Sequence, residues 1–250
     1  DVSNSMLAED LKPNRISRAK QALTQLVNQL EGDRIGIVIF AGTSVAHLPI
    51  TSDYTAAKTF IEVIDTKLIE TQGTAIAESL EKAYSAFENQ DETKRSRSII
   101  LISDGEDNEE GVLDVTKEIA KEGVVITTIG LGQTEGTPIP IYDKGGRSQY
   151  KKDANGNIVL TKLNETLLKE IAEEGKGVYI RANNTSIGLD NILARINKMD
   201  KNEYEAVAYK SFESKFYVFA IIALFFLLLE WLIFERKNKY INRKLFFGNE

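Results

Sequence analysis

Residues 98–103 read SIILIS, an unbroken apolar run that stops at Asp104-Gly105. A run this short and rich in Ile is a strand, and without alternation it must be covered on both faces. Residues 124–131 (VVITTIGL) make the same demand. Two such strands call for helices above and below one sheet, and the rest of the chain supplies them.

After Asn14, apolar residues at Ile16, Ala19, Leu23, Leu26, Val27 and Leu30 have the spacing of one helix face, closed by Gly32. Residues 34–41 (RIGIVIFA) and 44–50 flank Gly42 as an antiparallel pair of strands. Asp53 opens a helix with Ala56, Ala57, Phe60 and Ile64 on one side, and Gly73-Thr74 opens another carrying Ile76, Leu80, Ala83, Tyr84 and Phe87. Helices over 112–122 and 165–174 and a short strand over 177–181 complete the alternation. The pattern predicts an α/β, Rossmann-like, doubly wound and mainly parallel sheet with an antiparallel edge strand. Ligands of such sheets sit outside the carboxyl ends of the strands. Residues 138–160 break the rhythm with Pro138, Pro140, Gly145-Gly146 and Asn155-Gly156, which predicts a surface hairpin insertion whose last pair favours a type I′ turn.

Residues 216–234 (FYVFAIIALFFLLLEWLIF) carry a single charge, Glu230. At about 1.5 Å per residue the segment matches a hydrocarbon core of about 30 Å, which predicts a transmembrane helix. Trp231 fits the aromatic belt, and Glu230 is one turn from the end, where a carboxylate reaches the interface. Arg236, Lys237, Lys239, Arg243 and Lys244 follow it, against Lys201, Lys210 and Lys215 before it. That bias places the C-terminal tail (235–250) in the cytoplasm and the domain outside it. The expected organisation is a domain over 1–201, a linker over 202–215, the span and the tail.

A formal net charge of -6 argues against a nucleic-acid partner. The absence of cysteine removes thiolate sites and leaves oxygen donors or the single His47 as metal ligands; His47 stands alone on the second edge strand and reads as structural or surface. Asp1, Ser3 and Ser5 fall on alternate residues, which lets an extended or turning backbone aim all three at one point. Thr74 at a helix start and Asp104 at a strand end add a third hydroxyl and a second carboxylate. Each hydroxyl alone reads as a helix or turn cap; the set together reads as a site for a hard cation.

DVSNS, Gly73-Thr74 and Ser103 to Gly105, with DRIGIVIFA between them and TTIGLG after them, resemble the metal-ion-dependent adhesion site of von Willebrand factor A domains. The resemblance implies that Ser3, Ser5 and Thr74 contact a divalent ion directly, Mg²⁺ foremost with Mn²⁺ or Ca²⁺ as alternatives. Asp1 and Asp104 would hold its waters or hydroxyl ligands, and a partner protein's acidic residue would complete it. In that family a central apolar strand runs into the Asp; the chain opening at Asp1 is therefore read as a fragment, whose sheet should leave backbone groups unpaired where that strand belongs. More narrowly, GTPIPIYDKGG, ANGNIVL and LNETLLKEIAEEGKGVYI resemble bacterial aerotolerance-operon (Bat) proteins of the BatA and BatB type. This implies a bacterial inner-membrane protein with a periplasmic domain, in a complex with an AAA ATPase and other Bat-type proteins.

The expected function is a non-enzymatic interaction module. An Mg²⁺-dependent hydrolase using Asp1 as nucleophile is the rival, weakened by Ser3 where such phosphatases place a second Asp and by the lack of a nearby base. A structural membrane protein with a vestigial site is the third reading. Glu106, Asp107, Glu109 and Glu110 are expected to be a solvated run leading into a helix, not ligands.

Overall fold

The computed structural model describes residues 1–88, 96–107, 111–142, 148–183 and 216–234. The chain divides into two compact units, Asp1–Lys201 and Asn202–Glu250. In the first, a 3₁₀ turn over Asn4–Leu7 precedes helix α1 (Arg15–Gln29), strands β1 (Ile35–Phe40) and β2 (Ser44–Thr51), and helices α2 (Tyr54–Glu62) and α3 (Ile76–Glu88). Strand β3 (Ser98–Ser103), helix α4 (Val112–Lys121) and strand β4 (Val125–Gly130) follow. After an excursion of four short strands come helix α5 (Glu165–Glu174) and strand β9 (Lys176–Arg181).

The helices start where polar side chains can take their free amides. Asn14 accepts from the Ser17 amide at 2.9 Å, Asp53 from Thr55 and Ala56, and Asn164 from Leu167. Strands β3, β4 and β9 are parallel, in that order across the sheet, and β1 pairs antiparallel with β2. Among the described residues β1–β2 and β3–β4–β9 are separate ladders, joined by the first two residues: the Asp1 nitrogen donates to Ile102 O at 3.1 Å and the Val2 amide to Phe40 O at 2.8 Å. Ile102 O of β3 and Phe40 O of β1 thus have partners there.

Alternate strand residues serve opposite helical layers. Ile37 and Ile39 of β1, Ile102 of β3 and Ile129 of β4 pack with Ile16, Ala19 and Val27 of α1 and with Ala57 and Ile61 of α2. Phe40, Ile99, Leu101 and Ile126 face the other way, onto Ile76 and Leu80, Ile119, and Leu168 and Ile171 of α3, α4 and α5. Tyr54 and Tyr84 pack at the margins of these clusters, as their spacing predicts.

The excursion is a pair of nested ladders. Strand β5 (Thr137–Pro138) pairs with β8 (Leu160–Thr161), and β6 (Pro140–Tyr142) with β7 (Ser148–Tyr150). The turn at Asn155-Gly156, between β7 and β8, corrects the type I′ expectation, which needs two residues of positive φ. Only Gly156 has one, at 87°. The Asp153 carboxylate takes the amides of Asn155 and Asn157 at 2.8 and 2.9 Å, so the turn closes around that side chain, from Asp153 O to the Gly156 amide.

In the second unit, helix α6 (Phe216–Phe234) forms over the expected residues, with side chains described at 221–230. Among the described residues no helix is long and apolar enough to cross a membrane, so helix formation is shown and the span is not. The linker and tail lie outside the described residues, as do Glu109 and Glu110 of the acidic run.

Leu168 is fully buried in the cluster where α5 packs on β4 and α4. Leu168→Ala should lower the unfolding free energy by about 2–5 kcal/mol, and Asn14→Ala by about 1 kcal/mol, in urea denaturation followed by circular dichroism.

Candidate metal centre

Three segments meet at the carboxyl ends of β1 and β3. The first is the loop opening at Asp1, where Ser3 and Ser5 are buried and their Oγ atoms lie 2.8 Å apart. The 3₁₀ turn brings them together, because the Met6 and Ala8 amides bond back to the Ser3 and Ser5 carbonyls. Asp1 is fixed at both oxygens: Oδ1 accepts from the Ser3 amide at 2.8 Å and Oδ2 from Ser103 Oγ at 2.6 Å.

The second segment carries Thr74, buried at the start of α3. The Ala75 amide donates to Ala41 O at 2.7 Å, which holds the segment to the end of β1. Gln72 Oε1 accepts from the Asn4 amide at 3.0 Å, which ties it to the serine loop. None of the hydrogen bonds joins the Thr74 side chain directly to Asp1, Ser3, Ser5 or Asp104; its backbone setting brings it to the same rim.

The third segment is the end of β3. Asp104 has no solvent exposure. Its Oδ2 accepts from Arg15 Nη1 at 2.8 Å and from Thr161 Oγ1 at 3.3 Å, and Oδ1 from the Glu106 amide at 3.2 Å. Arg15 is buried to the same degree, and its other edge forks onto Asp10, Nε to Oδ1 at 2.9 Å and Nη2 to Oδ2 at 2.7 Å. Gly132 makes room for it: at φ 126° it has no Cβ, and one placed there would lie 2.7 Å from Arg15 Cζ.

Burial works against charge on both partners, and the pairing overrides it. The Asp10 fork and the Asp104 carboxylate raise the Arg15 pKa above its ordinary value. Arg15, with the Gln133 and Leu11 amides, holds Asp10 below the usual carboxylate range despite its burial.

Asp1, Ser3, Ser5 and Asp104 thus come together with Thr74 beside them. Sequence reasoning missed five residues that hold them, Thr161 at the Asp104 carboxylate among them. Ser103 lies in the quoted SDG but had no role assigned, and Gln72 precedes the quoted Gly73-Thr74. Asp10 and Arg15 carried a signal only in the charge of Arg15 within an apolar helix face. His47 is remote from the rim, its Nε2 at 3.0 Å from Phe60 O. Glu106 accepts from the Lys162 amide at 2.9 Å.

The donor chemistry fits a small hard cation. Among the described residues no cluster of three or more His, Asp or Glu could hold a metal, so the site depends on hydroxyls backed by two carboxylates.

A family model for the von Willebrand factor type A domain matches residues 1–106. The solved structure of the conserved hypothetical protein BatB from Bacteroides thetaiotaomicron is 42% identical, with a TM-score of 0.75, over 80% of this chain and 96% of that one. The chain belongs to the von Willebrand factor type A family and, within it, is similar to BatB. An aerotolerance-related membrane protein from Bacteroides fragilis, solved with multiple mutations to serines, is 41% identical at TM-score 0.73 over 79% of this chain and 96% of that one. A UPF0353 protein of Mycolicibacterium gilvum is 29% identical over 68% of this chain and 56% of its own length. The chain spans about half the length of the curated relatives it matches. Proximal thread matrix protein 1 of the mussel byssus, solved with a zinc-occupied MIDAS motif, shares the fold at 19% identity and TM-score 0.52, over 80% of this chain and 47% of that one.

Asp10 has a lowered pKa, so its pairing contributes stability fully above the ordinary carboxylate value of about 4 and loses it as the pH falls through the lowered one. Wild type should therefore be more stable than Asp10→Asn near neutral pH. That gap should narrow below about pH 4 when the two are unfolded in urea across a pH series.

Proposed function

We propose that this chain is a membrane-anchored interaction module that binds a divalent cation and, through it, an acidic residue of a partner protein. The observation that carries the reading is the pair of buried hydroxyls, Ser3 and Ser5, at 2.8 Å beside an Asp1 carboxylate immobilised at both oxygens. Ser3, Ser5 and Thr74 would be direct ligands, and Asp1 and Asp104 would orient waters and hydroxyls around the ion. Mg²⁺ suits a few hard oxygens and retained waters; Mn²⁺ and Ca²⁺ suit the same donor class. The ion would supply a positive charge with an exchangeable position for a carboxylate.

No catalysis is needed for this role. The rival reading, with Asp1 as the nucleophile of a hydrolase, is weakened because Ser3, two residues on, is no acid or base at neutral pH.

Helix α6 would serve as the anchor. Residues 221–229 are exposed, and what supports the span is the sequence itself, an apolar run over 216–234 interrupted only by Glu230. With the basic tail inside, the domain would lie in the periplasm of a bacterium, the tail in the cytoplasm. The likeness to BatB supports work in an envelope complex, with an AAA ATPase and other Bat-type proteins as partners.

Titrating the full chain in detergent with Mg²⁺ and Mn²⁺ by calorimetry should show saturable binding. Ser5→Ala and Asp1→Ala should weaken it at least about tenfold while far-ultraviolet dichroism is unchanged. Asp104→Ala is the poorer probe, since stranding a buried guanidinium costs about 3–5 kcal/mol of stability. Absence of saturable binding in the wild type would sink the ion reading. Membranes from expressing cells should retain the chain after alkaline carbonate extraction and release it when residues 216–234 are deleted; release of the intact chain would refute the anchor.

A further inference from the structure

We propose that Arg15 is the positioning residue of the ion site, and that through Asp10 and Thr161 it makes the neck of the 133–163 excursion part of that site. The proposal rests on the ion reading above and extends it to residues that would not touch the ion.

Asp104 can serve an ion only if its carboxylate is held in one rotation. Arg15 Nη1 and Thr161 Oγ1 take Oδ2, leaving Oδ1 with a single amide contact, from Glu106. An oxygen with one donor retains a lone pair for an ion-bound water or hydroxyl. The fork on Asp10 stops the guanidinium from turning, so the orientation of Asp104 depends on Asp10 as well.

The same groups hold both sides of the excursion. On the outgoing side, the Gln133 amide donates to Asp10 Oδ2 at 2.8 Å. On the returning side, Thr161 Oγ1 accepts from Arg15 Nη1 at 2.9 Å, and the Asn164 amide donates to Asp104 O at 2.8 Å. Between them the Leu163 amide closes the neck onto Gln133 O at 2.8 Å. Tyr142, farther out, donates to Glu9 of the first loop. Whatever fixes Asp104 therefore also fixes the neck. Because coupling between two equilibria is reciprocal, ion binding must order the neck by the same factor by which the ordered neck favours the ion. A lysine would keep the charge but could not fork onto Asp10 while reaching Asp104 and Thr161.

The test uses the full chain in detergent, with Mn²⁺ as probe, calorimetry for affinity and amide hydrogen exchange over 131–137 and 160–166. In the wild type, Mn²⁺ should slow exchange in both segments. Arg15→Lys should bind Mn²⁺ about 10- to 100-fold more weakly and lose that protection even at saturation. Thr161→Val, which removes one link and leaves the Arg15–Asp10 fork in place, should lose protection over 160–166 and weaken binding several-fold. A purely structural ion pair would lower stability in chelator without moving either readout. Wild-type affinity and protection in Arg15→Lys overturn the proposal; if that variant does not fold, Thr161→Val alone decides on the same criteria. A wild type that binds no Mn²⁺ removes the ion reading and this one together, whereas binding that is indifferent to both variants removes only this one.

Discussion

A guanidinium with no exposure, wedged between two carboxylates, is the constraint around which this domain is arranged. Arg15 opens α1, yet its side chain reaches the end of β3 at Asp104 and the loop at Asp10. Leaving any one of these charges alone in the interior would cost about 3–5 kcal/mol, so they must be present together or not at all. That requirement fixes more than the ion pairs. The chain after β4 needs a glycine at 132 because a Cβ would strike the guanidinium, and the Asp10 loop must lie against Gln133. Such a buried network gains little stability over apolar packing; what it supplies is a single permitted arrangement of the segments it joins.

Packing and chemistry divide the strands between them. Along β3, Ile99 and Leu101 face one helical layer and Ile102 the other, so the strand cannot slip without exposing one set. With the register fixed, Ser103 and Asp104 fall at the carboxyl end, where Ser103 Oγ reaches Asp1 and accepts from the Gly105 amide at 2.9 Å. The Asp1 and Val2 backbone completes the rim by bonding to β3 on one side and β1 on the other.

Much of this was legible in the sequence. Both-face burial in SIILIS and VVITTIGL, the helical spacing after Asn14 and Asp53, and the antiparallel pair around Gly42 are local patterns, and each formed within a residue or two of its expected bounds. The ligand candidates were legible because hydroxyls and carboxylates at spaced strand ends and loop starts form an unusual set. Arg15 and Asp10 were not, since the bond from Arg15 to Asp104 joins residues 89 apart and leaves no periodicity, Asp10 lies in a loop, and an arginine on a helix face ordinarily reads as solvated. The turn at Asp153 failed for a related reason: Asn155-Gly156 reads as a two-residue turn until the competing carboxylate of Asp153 is placed beside it.

The balance of charge and neutral donors bears on what the site would recognise. Three carboxylates gathered directly around an ion would neutralise it, leaving little attraction for a fourth from outside. Here Asp104 spends Oδ2 on Arg15, Asp1 spends an oxygen on Ser103, and Asp10 is committed to the arginine fork. The groups left to approach an ion are the hydroxyls of Ser3, Ser5 and Thr74, which carry no formal charge. An ion held mainly by neutral oxygens keeps most of its positive charge available, and a partner's carboxylate is the ligand best suited to it. On the proposed reading the internal ion pair and selectivity for a partner's carboxylate would have one cause: Arg15 occupies carboxylate oxygens that would otherwise compete with it.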